Sequence, residues 1–290
     1  MLNKKLIDDL TKDIKEKGRE IDYNLMLALF ECRQLQTAKE LLKYQNIDGG
    51  FGHGLEPDIR LPESSIAATD MAVNILNEID DESLKEDIIH RMIEYYENTY
   101  IDSKNGWELV SPNVDNYPHA VWWNYSGVGE FTYGNPNPEI IGFLFKYKKH
   151  LKKIQINSQI DKVVKYINED FLTEVNMHNL LSCLKFYTYM NDEIKSKVSD
   201  VLQAAVDKEL LNENWEEYSL EPYKVYLIEP EFLNKHKELL ERNLEYCKEK
   251  LKKGIIIPNW SWHQYDSVFE EIKYEWAGYL TYEVVKSILK

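Results

Sequence analysis

Cysteine is scarce in this chain and odd in number: Cys32, Cys183 and Cys247 lie far apart, with no CxxC spacing. That excludes a disulfide framework and a cysteine-based finger, and three thiols within helical patterns read as reduced core residues of a cytoplasmic protein. Positive charge is also in short supply. The 35 basic residues face 50 acidic ones, a net charge of −15, which repels phosphate backbones and anionic headgroups and argues against nucleic acid as a partner. Long apolar runs are missing: nothing approaches the roughly 18 residues that span a bilayer. Met1-Leu2-Asn3-Lys4-Lys5 passes into acids within a few residues, unlike a signal peptide. No GxGxxG follows a strand, and GxxxxGK[ST] and GxSxG do not occur, so dinucleotide, P-loop and α/β-hydrolase chemistries have no carrier and no cofactor is expected. His119 and His263 with Asp115 or Asp266 lack the spacing of HExxH or a zinc finger, so no metal is expected either.

What is present is ordinary for a globular chain of 290 residues, with 43% hydrophobic and 29% charged side chains. A single domain over residues 1–290 is the expectation, with the oligomeric state open. Periodicity of 3.6 residues gives about twelve helical segments of two alternating kinds. One kind is charged with a single apolar stripe: residues 3–17, 34–46, Leu84 to Tyr95, Ile160 to Phe171, Ile194 to Ala205 and Leu233 to Leu251. The other is apolar over most of its circumference: Asn24 to Phe30, Ser64 to Ile79, Pro138 to Tyr147, His178 to Met190, Ser219 to Ile228 and Trp276 to Leu289. Six alternations of this kind predict an all-α fold, an (α/α)6 toroid with outer and inner rings of helices; an open solenoid is the competing architecture.

In a toroid, links from outer to inner helices emerge together on one face. These are the long ones, residues 47–63, 99–136, 211–217 and 254–275, against a usual median of about five. They hold Trp107, Trp122, Trp123, Trp215, Trp260 and Trp262, with Trp276 at the rim, and His53, His119 and His263. The first link reads Asp48-Gly49-Gly50-Phe51-Gly52-His53-Gly54-Leu55-Glu56-Pro57-Asp58-Ile59-Arg60, its four glycines permitting positive φ and close backbone approach. Glu56, Asp58 and Arg60 alternate, so an extended backbone would project all three to one side, either as a tuned acid pair or as an ion-pair network. Asp70, on the apolar helix that follows, needs a partner or a role as proton donor. Candidate catalytic groups are therefore Glu56, Asp58 and Asp70. Candidate ligand-binding groups are His53, Arg60, Trp107, Asp115, His119, Trp122, Trp123, Trp260, Trp262, His263 and Asp266, with packing of loop on loop as the plainer alternative.

The segment Leu42-Lys43-Tyr44-Gln45-Asn46-Ile47-Asp48-Gly49-Gly50-Phe51-Gly52 resembles the repeat shared by squalene and other triterpene cyclases and by the β subunits of protein prenyltransferases. In that repeat a glutamine closes an outer helix and a DGG-aromatic-G turn leads to the next inner one. The resemblance covers about a dozen residues, with a weaker echo at Asn105-Gly106-Trp107, and implies an α/α toroid. The stretch from Gln45 to Ser65, with Pro118-His119 and Trp122-Trp123, also resembles uncharacterised bacterial toroid proteins. The chain departs from both enzyme groups: it has no DxDD, and no cysteine stands in a prenyltransferase-like zinc motif. The resemblance thus implies fold rather than mechanism. Three functions compete: binding of an apolar ligand, isoprenoids included, with a carboxylic acid as proton donor; a glycan-active hydrolase or lyase with a carboxyl pair at the mouth; and a non-catalytic ligand- or peptide-binding module.

Overall fold

The computed structural model describes residues 2–125 and 133–290; part of the expected 99–136 link, residues 126–132, lies outside them. Among the described residues twelve α-helices follow in order: α1 (Lys4–Lys17), α2 (Glu20–Ala28), α3 (Gln34–Leu42), α4 (Ile66–Leu76), α5 (Glu86–Thr99), α6 (Asn137–Lys146), α7 (Ile156–Glu169), α8 (Met177–Tyr189), α9 (Asp192–Glu209), α10 (Pro222–Ile228), α11 (Lys237–Leu251) and α12 (Asp266–Leu289). The described residues contain only isolated antiparallel bridges and no β-strand, so the fold is all-helical. Each helix corresponds to one of the twelve periodic segments. The two kinds differ in burial as their patterns require: α9 buries Val198, Leu202, Ala205 and Val206 along one stripe, whereas α4 buries nine of its eleven residues.

Local chemistry sets the boundaries. The Asn3 side chain accepts from the Leu6 amide at 2.9 Å, Ser65 from Ala68 at 3.1 Å, and Asn176 from both His178 and Asn179 at 3.0 and 3.1 Å, each satisfying first-turn donors. Two starts differ from expectation. The last helix begins ten residues before Trp276, at Asp266, because its first turns are charged and hide the apolar repeat. Pro230 opens a short 3₁₀ turn, and α11 begins only at Lys237. Cys32 is a correction too: it is exposed in the link between α2 and α3, while Cys183 and Cys247 are buried.

Internal contacts gather the chain into two compact units. The first takes Met1–Tyr96, Glu108–Glu130 and Leu244–Lys290; in it α1 packs on α2 and α12, and α2 on α3 and α12. The second takes Glu97–Trp107 and Phe131–Asn243; in it α6 packs on α7 and α8, and α8 on α9 and α10.

In the second unit the buried Glu97 side chain accepts from three successive amides, Lys152, Lys153 and Ile154, at 2.8, 2.6 and 3.0 Å. Lys152 and Lys153 are exposed, so water can replace part of what Glu97 supplies them, but Ile154 is buried. Glu97→Ala is therefore expected to cost about 2 kcal/mol, read as a lowered urea midpoint at unchanged m-value.

The glutamine turn is a joint of the first unit. Gln45 donates from Nε2 to the carbonyls of Gly49 and Ile88, at 2.9 and 3.1 Å, and accepts from Arg91 on α5. Asp48 Oδ1 accepts from the Gly50 amide and the Ser64 hydroxyl, at 3.0 and 2.7 Å. Gly49 has φ 92°, and a Cβ there would lie 2.1 Å from the Arg91 carbonyl oxygen, so the turn can close on α5 only with glycine at this position.

Candidate functional site

Three connections of the first unit are tied together by their backbones. The Arg60 amide donates to Pro118, Ala120 to Asp58 and Val121 to Trp262, at 2.9, 3.0 and 3.0 Å. Gln264 adds a side-chain bond to the His119 carbonyl at 2.8 Å. Residues 43–65, 112–125 and 252–265 thereby form one polar knot between helices, with its unpaired backbone groups satisfied by each other.

Asp58 is its centre. The carboxylate is 3% exposed, and its Oδ1 accepts from the indoles of Trp262 and Trp276 at 2.6 and 2.8 Å. Trp260 stands edge-on to Trp276, ring centres 5.5 Å apart. Burial pushes the Asp58 pKa from 3.8 up to about 6, and indole donation from Trp262, Trp276 and Trp260 restrains the rise. Glu56 is buried as well, and its carboxyl is pushed well above the usual range, first by burial and then by the Asp58 charge; the Asp58 amide, Arg19 and Arg60 oppose this without cancelling it. Glu56 Oε2 is buried and has no hydrogen-bond partner. A buried carboxyl biased towards its neutral form, with an uncommitted oxygen, thus lies beside a second carboxyl.

The alternating side chains do not share one face. Residues 53–58 form turns rather than a strand, so Asp58 goes to the indoles while Arg60 Nη1 pairs with Glu275 Oε2 at 2.8 Å. His119 is buried; its Nδ1 and Nε2 lie 2.6 Å from the Tyr117 carbonyl and 2.7 Å from Asn124 Oδ1, and its ring sits 5.8 Å from that of Tyr265. Both nitrogens are held, which makes His119 a strut of the knot. Asp115, exposed, accepts from the Tyr125 amide at 3.0 Å and lies 3.8 Å from His119 Nε2. Trp262 is fully buried. Trp123 packs against two apolar clusters, one containing Ile59 and Leu61 and the other Ala120 and Trp262, with its indole nitrogen buried and unpartnered, whereas Trp122 is exposed.

The remaining candidates stand apart from the carboxyl pair in their contacts. His53, at φ 55°, is exposed and meets Asn46 Oδ1 at 2.9 Å. His263, at φ 57°, and Asp266, the first residue of α12, are exposed. Asp70 is half-buried in mid-α4. Trp107 belongs to the second unit, where it is 1% exposed and edge-on to Tyr100 at 5.2 Å, a core position.

Three participants escaped the sequence reading. Asn124 and Gln264 are neutral amides, and Arg19 precedes an apolar helix; only Arg19 carried a signal, through Asp22 three residues on. Among the described residues, no group of three His, Cys, Asp or Glu side chains is arranged to hold a metal, and no helix is long and apolar enough to cross a membrane. A concavity of about 390 Å³ in the first unit is lined by Leu42, Leu84, Asp87, Ile88, His90 and Arg91, and by none of the residues of the knot. Compared with known protein families, curated proteins and solved structures, the chain matches none.

Proposed function

We propose that this chain is an (α/α)6 toroid of the triterpene-cyclase and prenyltransferase-β type that binds an uncharged apolar ligand, isoprenoids included, next to Glu56, with Glu56 as proton donor. The alternation of singly and doubly buried helices supports the toroid. The observation that carries the chemistry is Glu56: buried, with Oε2 uncommitted, and with its carboxyl pushed up by its surroundings. An unpartnered buried oxygen costs free energy in the resting protein, and such strain is retained where function uses it. Transfer of the Glu56 proton to a carbon of a ligand double bond breaks the carboxyl O–H bond and leaves a carbocation beside a new carboxylate. The indoles of Trp260, Trp262 and Trp276 supply π faces that attract such a cation. Loss of a proton from the adjacent carbon back to Glu56 restores the acid, so the net change is isomerisation or ring closure.

The test is incubation of the protein in D₂O with squalene or geranylgeraniol. Wild type is expected to yield product carrying solvent deuterium on carbon, and Glu56→Gln, a near-isosteric neutral replacement, to yield none although its melting temperature does not fall. Absence of deuterium from both wild-type reactions overturns the reading. Cleavage of oligosaccharides instead would replace it with glycan chemistry, and polyene binding that survives Glu56→Gln, Asp58→Asn and Asp70→Asn together would leave a binding module.

A further inference from the structure

Arg19, immediately before α2, has no part in the chemistry above, yet each of its three guanidinium nitrogens has a partner. Nε and Nη2 fork onto the two oxygens of Asp22 at 2.8 and 2.9 Å. Nη1 donates to the carbonyl oxygens of Leu55 at 2.7 Å and Gly54 at 3.3 Å. Those carbonyls belong to the two residues directly before Glu56. The same short stretch is confined from its other side: a Cβ on Gly54, which has φ 75°, would lie 2.7 Å from Arg60 Nη1, and Arg60 is itself held by Glu275. Behind Arg19, Asp22 is wedged on α12, where a Cβ at Gly278 would come within 2.9 Å of the Asp22 Cβ.

We propose that Arg19, fixed by Asp22, is the positioning residue of Glu56, holding the Gly54–Leu55 carbonyls so that the Glu56 carboxyl keeps one orientation in the knot. This rests on the reading of Glu56 as proton donor. Only a planar fork with a spare nitrogen can bind both oxygens of Asp22 and two carbonyls at once; a lysine presents one compact ammonium. The pair is also nearly charge-neutral, so it grips the loop while leaving the neutral form of Glu56 favoured: the Arg19 charge opposes that form, but burial and Asp58 outweigh it.

The experiment follows the Glu56 carboxyl in ligand-free protein, as the ¹³C carboxyl resonance that is present in wild type and missing from Glu56→Gln. Arg19→Met removes the cation and the grip, and is expected to raise the titration midpoint of that resonance and split or broaden it. Asp22→Asn leaves the cation less compensated and the fork loosened, and is expected to lower the midpoint. Opposite shifts are not produced by a general loosening of the fold, and Asp22→Asn carries the test should Arg19→Met not fold. Deuterium incorporation in Asp22→Asn is expected to fall about 10- to 100-fold with little change in ligand affinity, as for a donor held about 1 Å out of place. A midpoint and line shape identical to wild type in the folded variants overturns the proposal. Midpoints that move in opposite directions while wild type incorporates no deuterium would support the clamp and sink only the assignment of Glu56 as donor to polyenes.

Discussion

Lys185→Met is expected to destabilise the protein by about 3–5 kcal/mol near neutral pH, the typical loss when one partner of a buried ion pair is removed. Lys185 on α8 is paired with Glu139 on α6 at 2.8 Å, and the Glu139 side chain is only 3% exposed. Burial alone pushes the Glu139 carboxyl up, and Lys185 is the charge that pulls it back. Without Lys185 the carboxyl escapes its unpaired state by taking up a proton, so its folded pKa rises further above the unfolded value. A raised carboxyl pKa stabilises below the unfolded value and costs stability as pH climbs through the folded one, by about 1.4 kcal/mol for each pH unit that separates the two values. The loss should therefore be smallest near pH 5 and grow towards pH 8 in urea titrations. Lys185→Met combined with Glu139→Gln should recover most of it, since two neutral groups leave no buried charge. A loss that is the same at pH 5 and pH 8, or a double variant no better than the single, would show that the pair is not what joins these helices.

Asp58→Asn is expected to act in the opposite direction. Asp58 rises from 3.8 to about 6 on folding, so its contribution is fully favourable below pH 3.8 and is lost as pH climbs through 6. At pH 7.5 the ionised group costs up to about 3 kcal/mol relative to a carboxyl that keeps its ordinary pKa on folding. An asparagine oxygen can still accept from Trp262 and Trp276, more weakly than a carboxylate does. The net result should be a gain of about 1–2 kcal/mol at pH 7.5 that vanishes by pH 4, seen as a melting temperature higher by roughly 2–8 °C only at the higher pH. Destabilisation at pH 7.5 would mean that the charge itself holds the indoles. A stabilising replacement at this position fits a site that keeps acidity at the expense of stability.

How far these groups could be read from sequence depends on the kind of signal each one leaves. The helices were legible because burial repeats every 3.6 residues: the stripe Ile160, Val164, Ile167 marks α7, and the nearly continuous apolar run of Ile66 to Leu76 marks α4. The glutamine turn was legible because Gly49 and Gly52 are demanded by backbone contacts. Glu56 and Asp58 stood out as acids in a glycine-rich loop, but their partners did not, since the indoles of Trp262 and Trp276 reach Asp58 across 204 and 218 residues of chain. No local pattern encodes such a pairing. Asp266 to Glu275 read as loop because their charged faces obscure the period, and this placed Trp276 at a rim rather than inside a helix. Trp107, by contrast, drew attention as a tryptophan in a polar link and is core.

The segmented make-up of the first unit bears on how the chain is made. Its three stretches are separated by residues 97–107 and 131–243, and the bonds from Trp262 and Trp276 to Asp58, Glu275 to Arg60 and Lys286 to Glu78 all require the last fifth of the sequence. During synthesis the second unit has every residue it needs once Asn243 has left the ribosome, whereas Asp58 and Arg60 must wait for α12 before they meet their partners. The surroundings of Asp58, and with them those of the neighbouring Glu56, are therefore completed late, only when the C-terminal indoles are in place.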